Sequence, residues 1–205
     1  YAEVEEISGY VGNFKVKVRR KATFVDWDRC TGCGLCVEKC PVKVPSEFDR
    51  GLSERKAIYI QFEQAVPRKA VIDKERCLKL TEGRCGICQR VCPADAVNYE
   101  MEDSFEEFEV GAIVVATGCD VYPLENLGEY GGGRYPDVID SLQFERLLSA
   151  SGPTGGEIRR PSDGRPVRTV VFVQCAGSRD ERHKPYCSKI CCMFTAKHAL
   201  LFKEH

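Results

Sequence analysis

The run Cys30-Thr31-Gly32-Cys33-Gly34-Leu35-Cys36-Val37-Glu38-Lys39-Cys40-Pro41 governs the reading of the whole chain. Its spacing is C-x2-C-x2-C-x3-C-P. Thiols held two or three residues apart on one loop are too close to pair as unstrained disulfides. They are well placed to wrap three corners of an inorganic cubane, with the glycine-bearing loop's free N–H groups pointing at the sulfurs. The fourth cysteine, followed by proline, is turned away and reaches a second cluster.

Working outward, a second run lies downstream: Cys77, then Cys85-Gly86-Ile87-Cys88-Gln89-Arg90-Val91-Cys92-Pro93. It departs from the first in having seven residues rather than two between its first two cysteines, a loop long enough to return the ligand. Both runs end in Cys-Pro, which suggests an internal repeat with pseudo-twofold symmetry. The spacing is that of two-cluster bacterial ferredoxins, in which the fourth cysteine of each run ligates the other cluster. One 4Fe-4S cluster is therefore expected on Cys30, Cys33, Cys36 and Cys92, the other on Cys77, Cys85, Cys88 and Cys40. Residues 26–100 form one compact module on this reading. Its long connection, Val42 to Lys74, is broken by Pro45, Gly51 and Pro67. Two structural zinc sites of four cysteines are the competing interpretation. Zinc knuckles, however, take two ligands from each of two separated pairs, whereas here three come from one short loop.

Composition bounds the rest. A chain of 205 residues accommodates one to two domains. With 30 Lys+Arg against 31 Asp+Glu it has no basic excess to drive nucleic-acid binding. The longest nearly uncharged apolar run, Val110 to Gly118, is far short of the ~18 residues needed for a membrane span. Thirteen cysteines, an odd number and mostly clustered, point to metal and to a reducing compartment. The chain opens Tyr-Ala-Glu-Val, without Met or a basic-then-apolar leader. The expectation is a piece of a longer polypeptide with no secretory signal.

Residues 1–25 read as a β segment, with Gly-rich turns leading into Phe14, Val16 and Val18 in alternation with Lys15, Lys17 and Arg19. The acidic stretch Glu100 to Glu109 reads as a solvated connection or a partner-docking edge. Over residues 101–205, Val110–Gly118 and Thr169–Gln174 are expected as buried strands. Leu142–Ser149, capped by Ser141, and Ile190–Lys203 are expected as helices, giving an α/β pattern. A third cysteine group comprises Cys175 with Cys187-Ser188-Lys189-Ile190-Cys191-Cys192. If the region is helical, Cys187 and Cys191 share a face. A third iron-sulfur cluster, a redox-active thiol pair and unligated core cysteines are all open for it. Cys119 reads as a small buried hydrophobe. His183 and His198 flank the third group without a ligand role.

At this point the sequence resembles the A-type subunit of heterodisulfide reductase. The resemblance rests on Cys30 to Pro41, Val42-Lys43-Val44-Pro45-Ser46-Glu47-Phe48-Asp49, Glu54 to Ile60, Ser178-Arg179-Asp180, Tyr186-Cys187-Ser188 and Cys191-Cys192-Met193. It implies an α+β chain: a two-cluster bacterial-type ferredoxin module joined to part of an α/β FAD-binding, thioredoxin-reductase-like domain, in fragment or split form. It implies an oxidoreductase component of the methanogen cytoplasm that relays single electrons between FAD and 4Fe-4S clusters. Flavin-based bifurcation there couples disulfide reduction to ferredoxin reduction. The implied partners are B- and C-type subunits, a hydrogenase or formate dehydrogenase module, ferredoxin, and the remainder of the flavoprotein subunit.

By the same resemblance, Cys175, Cys187, Cys191 and Cys192 hold an additional cluster beside the flavin, and Ala116-Thr117-Gly118 is the strand end that lies against FAD. Lys197 stands where the family has a lysine near the flavin ring, a cation suited to stabilising reduced flavin. A lysine on a surface helix is the plain alternative. Two departures limit the resemblance. No G-x-G-x-x-G follows any strand, so nicotinamide binding is not expected. The N-terminal FAD fingerprint is also absent, so these residues supply only part of a flavin site. A flavin-free, two-cluster electron relay is the alternative function.

Overall fold

The computed structural model describes residues 1–204, which fall into two compact units. The first comprises residues 1–44 and 54–118, the second 45–53 and 119–204.

The first unit begins with a β-hairpin, β1 (Ala2–Tyr10) and β2 (Asn13–Arg20). Tyr10 pairs with Asn13 across the turn, and Gly12 there takes φ 89°, a conformation costly for any residue with a Cβ. After α1 (Leu35–Lys39) come the short strands β3 (Lys43–Pro45), β4 (Glu54–Lys56), β5 (Ile58–Tyr59) and β6 (Val71–Ile72). They pair as β3 with β4 and β5 with β6. Two more short helices follow, α2 (Leu78–Glu82) and α3 (Ile87–Val91), before β7 (Ser104–Val110). The last strand joins the hairpin on its far side, giving an antiparallel sheet of order β1-β2-β7. Ion pairs lace its polar positions: Arg20 Nη1 lies 3.0 Å from Glu106 Oε1, and Lys15 faces Glu109.

The core of this unit lies among the cysteine loops. Phe24, Val25, Ala57, Ile58, Ala70, Ile72, Ala96 and Val97 are buried together with Cys77 and Cys88. The chain stitches the two halves by backbone bonds, Asp26 N–H to Ala96 O at 2.7 Å and Asn98 N–H to Phe24 O at 3.0 Å.

In the second unit the helices are α4 (Ser141–Leu148) and α5 (Cys191–Glu204). Asp140, not Ser141, is the N-cap of α4: its carboxylate accepts from the Gln143 N–H, and Gln143 answers by accepting from the Asp140 N–H. Phe144, Leu147 and Leu148 form the buried stripe expected for this helix. Residues 45–53 are stapled to it. Arg50 Nη2 reaches Asp140 at 3.0 Å, and Arg146 Nε donates to Asp49 at 2.9 Å while its guanidinium lies over the Phe48 ring.

Several expectations are corrected. Residues 111–118 form no strand, and Val114 and Val115 are 89% and 78% exposed. The strand lies instead over Ser104–Val110, within the acidic stretch expected as a connection, because its glutamates are matched by cations on β2. Thr169–Gln174 is likewise not a strand, and Val171 is 81% exposed. A strand of a parallel sheet needs neighbours on both edges for its N–H and C=O groups. Among the described residues neither run has them, so the expected α/β pattern does not form. Cys119 is exposed rather than buried. Cys187 precedes α5, so it does not share a helical face with Cys191.

Candidate iron-sulfur centres

The two cysteine runs build the same local structure. Gly34 and Gly86, with φ 84° and 109°, each initiate a one-turn helix, α1 and α3. Each helix ends at a cysteine in extended conformation, Cys40 with ψ 126° and Cys92 with ψ 109°. The following prolines, Pro41 and Pro93, cause this: the ring excludes the helical region for the residue before it. The last cysteine thus leaves its own loop. The seven residues between Cys77 and Cys85 are taken up by α2, which Gly83 closes at φ 73°.

The consequence is an exchange of cysteines between two cavities. Cys30, Cys33 and Cys36 line one together with Cys92. Cys77, Cys85 and Cys88 line the other together with Cys40. The walls are otherwise mostly apolar, with Val25, Ala70 and Val97 in the first and Ala57, Ile58 and Ile72 in the second. Polar groups reach the sulfurs and the loops. The Ala96 N–H donates to the Cys92 sulfur at 3.4 Å. Tyr99 Oη lies 2.9 Å from Cys88 Sγ. Lys69 Nζ donates to the Cys30 carbonyl and Arg68 to that of Gly32, so two cations brace the first loop. Burial pushes the Cys36 thiol up to about 11, and burial likewise raises that of Cys88.

This donor set fits 4Fe-4S clusters. Each cavity offers four thiols, low polarity and a hydrogen-bond donor to one sulfur, the groups that hold such clusters and set their potentials. Among the described residues no three His, Cys, Asp or Glu converge closely enough to hold a single metal ion.

In the third group Cys191 and Cys192 open α5, and Cys187 stands just before it. The neighbouring sulfur of Cys191 is the main cause of a raised Cys192 thiol pKa, with smaller contributions from Cys175 and Cys187. The Lys189 N–H donates to Cys187 Sγ at 3.3 Å, and Ser188 faces Cys191. Ala116, Thr117 and Gly118 are exposed coil rather than a strand end. Lys197 Nζ lies 2.6 Å from Glu145 Oε1, and His198 Nε2 bonds the other oxygen at 2.6 Å. The ring of His198, 1% exposed, stands edge-on to Phe144 and Phe194. His183 faces the Tyr122 hydroxyl at 2.9 Å. Tyr99, Arg68, Lys69 and Glu145 carried no signal in the sequence, since none sits in a cysteine motif.

Residues 29–95 match the family model of the 4Fe-4S double cluster binding domain. All of the chain aligns at 50% identity with 30% of the A-type subunit of the H2:CoB-CoM heterodisulfide,ferredoxin reductase of Methanothermobacter thermautotrophicus. All of it also aligns at 53% identity with 30% of the second A-type iron-sulfur subunit of the CoB–CoM heterodisulfide reductase of Methanopyrus kandleri. Over its whole length the chain is thus similar to A-type subunits of heterodisulfide reductases. At 45% identity it also matches 25% of the corresponding A-type subunit of the ferredoxin/F420H2-dependent CoB-CoM heterodisulfide reductase of Methanosarcina acetivorans. The chain spans about 30% of the length of the first two of these relatives. No helix among the described residues is long and apolar enough to cross a membrane.

Proposed function

We propose that the chain is the electron-relaying part of an oxidoreductase of the heterodisulfide reductase type. The observation that carries this is the pair of cavities, each closed by a cysteine from the opposite run. We assign Cys30, Cys33, Cys36 and Cys92 to one 4Fe-4S cluster and Cys40, Cys77, Cys85 and Cys88 to the other. Cys175, Cys187, Cys191 and Cys192 are assigned to a third. When bound, such clusters take up and release single electrons. The chain's own residues hold the sulfurs in place, keep water from them with Val25, Ile58, Ile72 and Val97, and aim N–H groups at them. On this proposal residues 1–25 are a β segment of the flavoprotein part, 26–100 the two-cluster module and 101–205 a partial flavoprotein region.

The finer reading is that the relay serves an FAD in flavin-based bifurcation within a soluble, cytoplasmic complex. The name of one relative supports it, since it couples one donor, H2, to two acceptors, a heterodisulfide and ferredoxin. On this reading B- and C-type subunits and a hydrogenase or formate dehydrogenase module are the partners. Ala116–Gly118 and Lys197 are this chain's contribution to the flavin site, completed by the rest of the assembly.

The test is electron paramagnetic resonance with flavin analysis on the native assembly, purified without oxygen and reduced by dithionite. Interacting cluster signals with stoichiometric FAD are expected. Cluster signals with no flavin would leave the flavin-free relay, and protein without reducible clusters would overturn both.

A further inference from the structure

We propose that Tyr99 sets the reduction potential of the cluster in the second cavity, by donating its phenolic hydrogen bond to the Cys88 sulfur. This rests on the reading of that cavity as a 4Fe-4S site. Tyr99 Oη stands 2.9 Å from Cys88 Sγ, and the tyrosine itself lines the cavity. The lining of the first cavity carries no tyrosine. Cys88 is buried and Tyr99 packs against the same core.

The direction of the bond follows from the chemistry of the pair. A phenol ordinarily keeps its proton at neutral pH, and a ligating thiolate can only accept. One-electron reduction adds negative charge to the cluster and its sulfurs. A donor fixed beside one sulfur in an apolar wall stabilises the reduced form more than the oxidised one. In the step considered, the electron comes from an external reductant such as dithionite. No covalent bond forms or breaks, and the phenolic proton stays on Oη. The cavities are related by an internal repeat, and this hydroxyl makes them electrically unequal.

The experiment is a redox titration, followed by electron paramagnetic resonance, on the anaerobically purified native assembly carrying Tyr99→Phe. The potential of one cluster is expected to become more negative, by about a tenfold fall in its one-electron reduction constant, or about 59 mV. The other cluster is the internal reference. Site-specific 3-fluorotyrosine at position 99, a stronger donor in the same ring, is expected to shift the same cluster the opposite way, which a packing effect would not do. Iron and sulfide are measured on each sample. Loss of clusters from the unsubstituted protein would refute the cluster assignment itself. Intact clusters whose potentials move in neither variant would overturn the role of Tyr99 alone. If Tyr99→Phe fails to retain its clusters, the fluorotyrosine variant decides.

Discussion

Cys40 and Cys92 are the residues on which the arrangement turns, because each lines the cavity of the loop it does not belong to. Cys92→Ser is expected to abolish the cluster of the first loop, removing about 4 irons while the cluster on Cys77, Cys85 and Cys88 stays reducible. Cys40→Ser should do the reverse, and iron analysis with spectroscopy of the surviving cluster distinguishes the two. Glu145 is a second residue with a defined role. Burial pushes its carboxyl pKa up, but hydrogen bonds from Lys197 and His198 outweigh this, and the net shift is downward from 4.5. A carboxylate with a depressed pKa contributes stability that is present above its unfolded value and lost as pH falls through its folded one. Glu145→Ala leaves the buried His198 nitrogen without its acceptor, which costs about 1–3 kcal/mol near neutral pH. The difference in melting temperature between the two proteins should narrow as pH falls below 4.5. A difference that stays constant into acid would contradict the assignment.

At the scale of elements, the first cysteine loop is pinned by a close approach that only glycine permits. Gly32 has φ 69°, and a Cβ built there would overlap the Arg68 carbonyl oxygen. Gly32→Ala is expected to cost about 1–3 kcal/mol and to loosen the first cluster selectively, measurable as faster iron loss to a chelator. The β5–β6 pair supports the second cavity from below its apolar wall. Ile58→Ala there should cost about 2–5 kcal/mol by denaturant unfolding, since its side chain is almost fully buried. What the sequence made legible at this scale follows from local chemistry. Cys-Pro ends the one-turn helices, Gly12 makes the hairpin turn, and the Phe144, Leu147, Leu148 stripe marks α4. The strand β7 was not legible, because Ser104–Val110 alternates weakly and carries three glutamates. It forms by antiparallel pairing with β2, a strand about ninety residues away in sequence, which no local pattern encodes. The errors at Val110–Gly118 and Thr169–Gln174 have the opposite origin: an apolar run reports a tendency to be buried, not the presence of something to be buried against.

For the molecule as a whole, the exchange of Cys40 and Cys92 between the two cavities was the most legible feature, since the Cys-Pro endings of both runs point to it. The residues that bond their loops from elsewhere, Tyr99, Arg68 and Lys69, became visible only in three dimensions, because each reaches its loop through the tertiary fold. The chain covers about 30% of its first two reported relatives' length. Its exposed apolar runs lie in the region proposed to contribute to a flavin site. The measurement that tests the central claim most directly is iron, acid-labile sulfide and zinc per chain in the native assembly purified without oxygen. Three 4Fe-4S clusters predict about 12 irons with matching sulfide and no zinc. Zinc bound at the cysteines, with neither iron nor sulfide, would contradict the account.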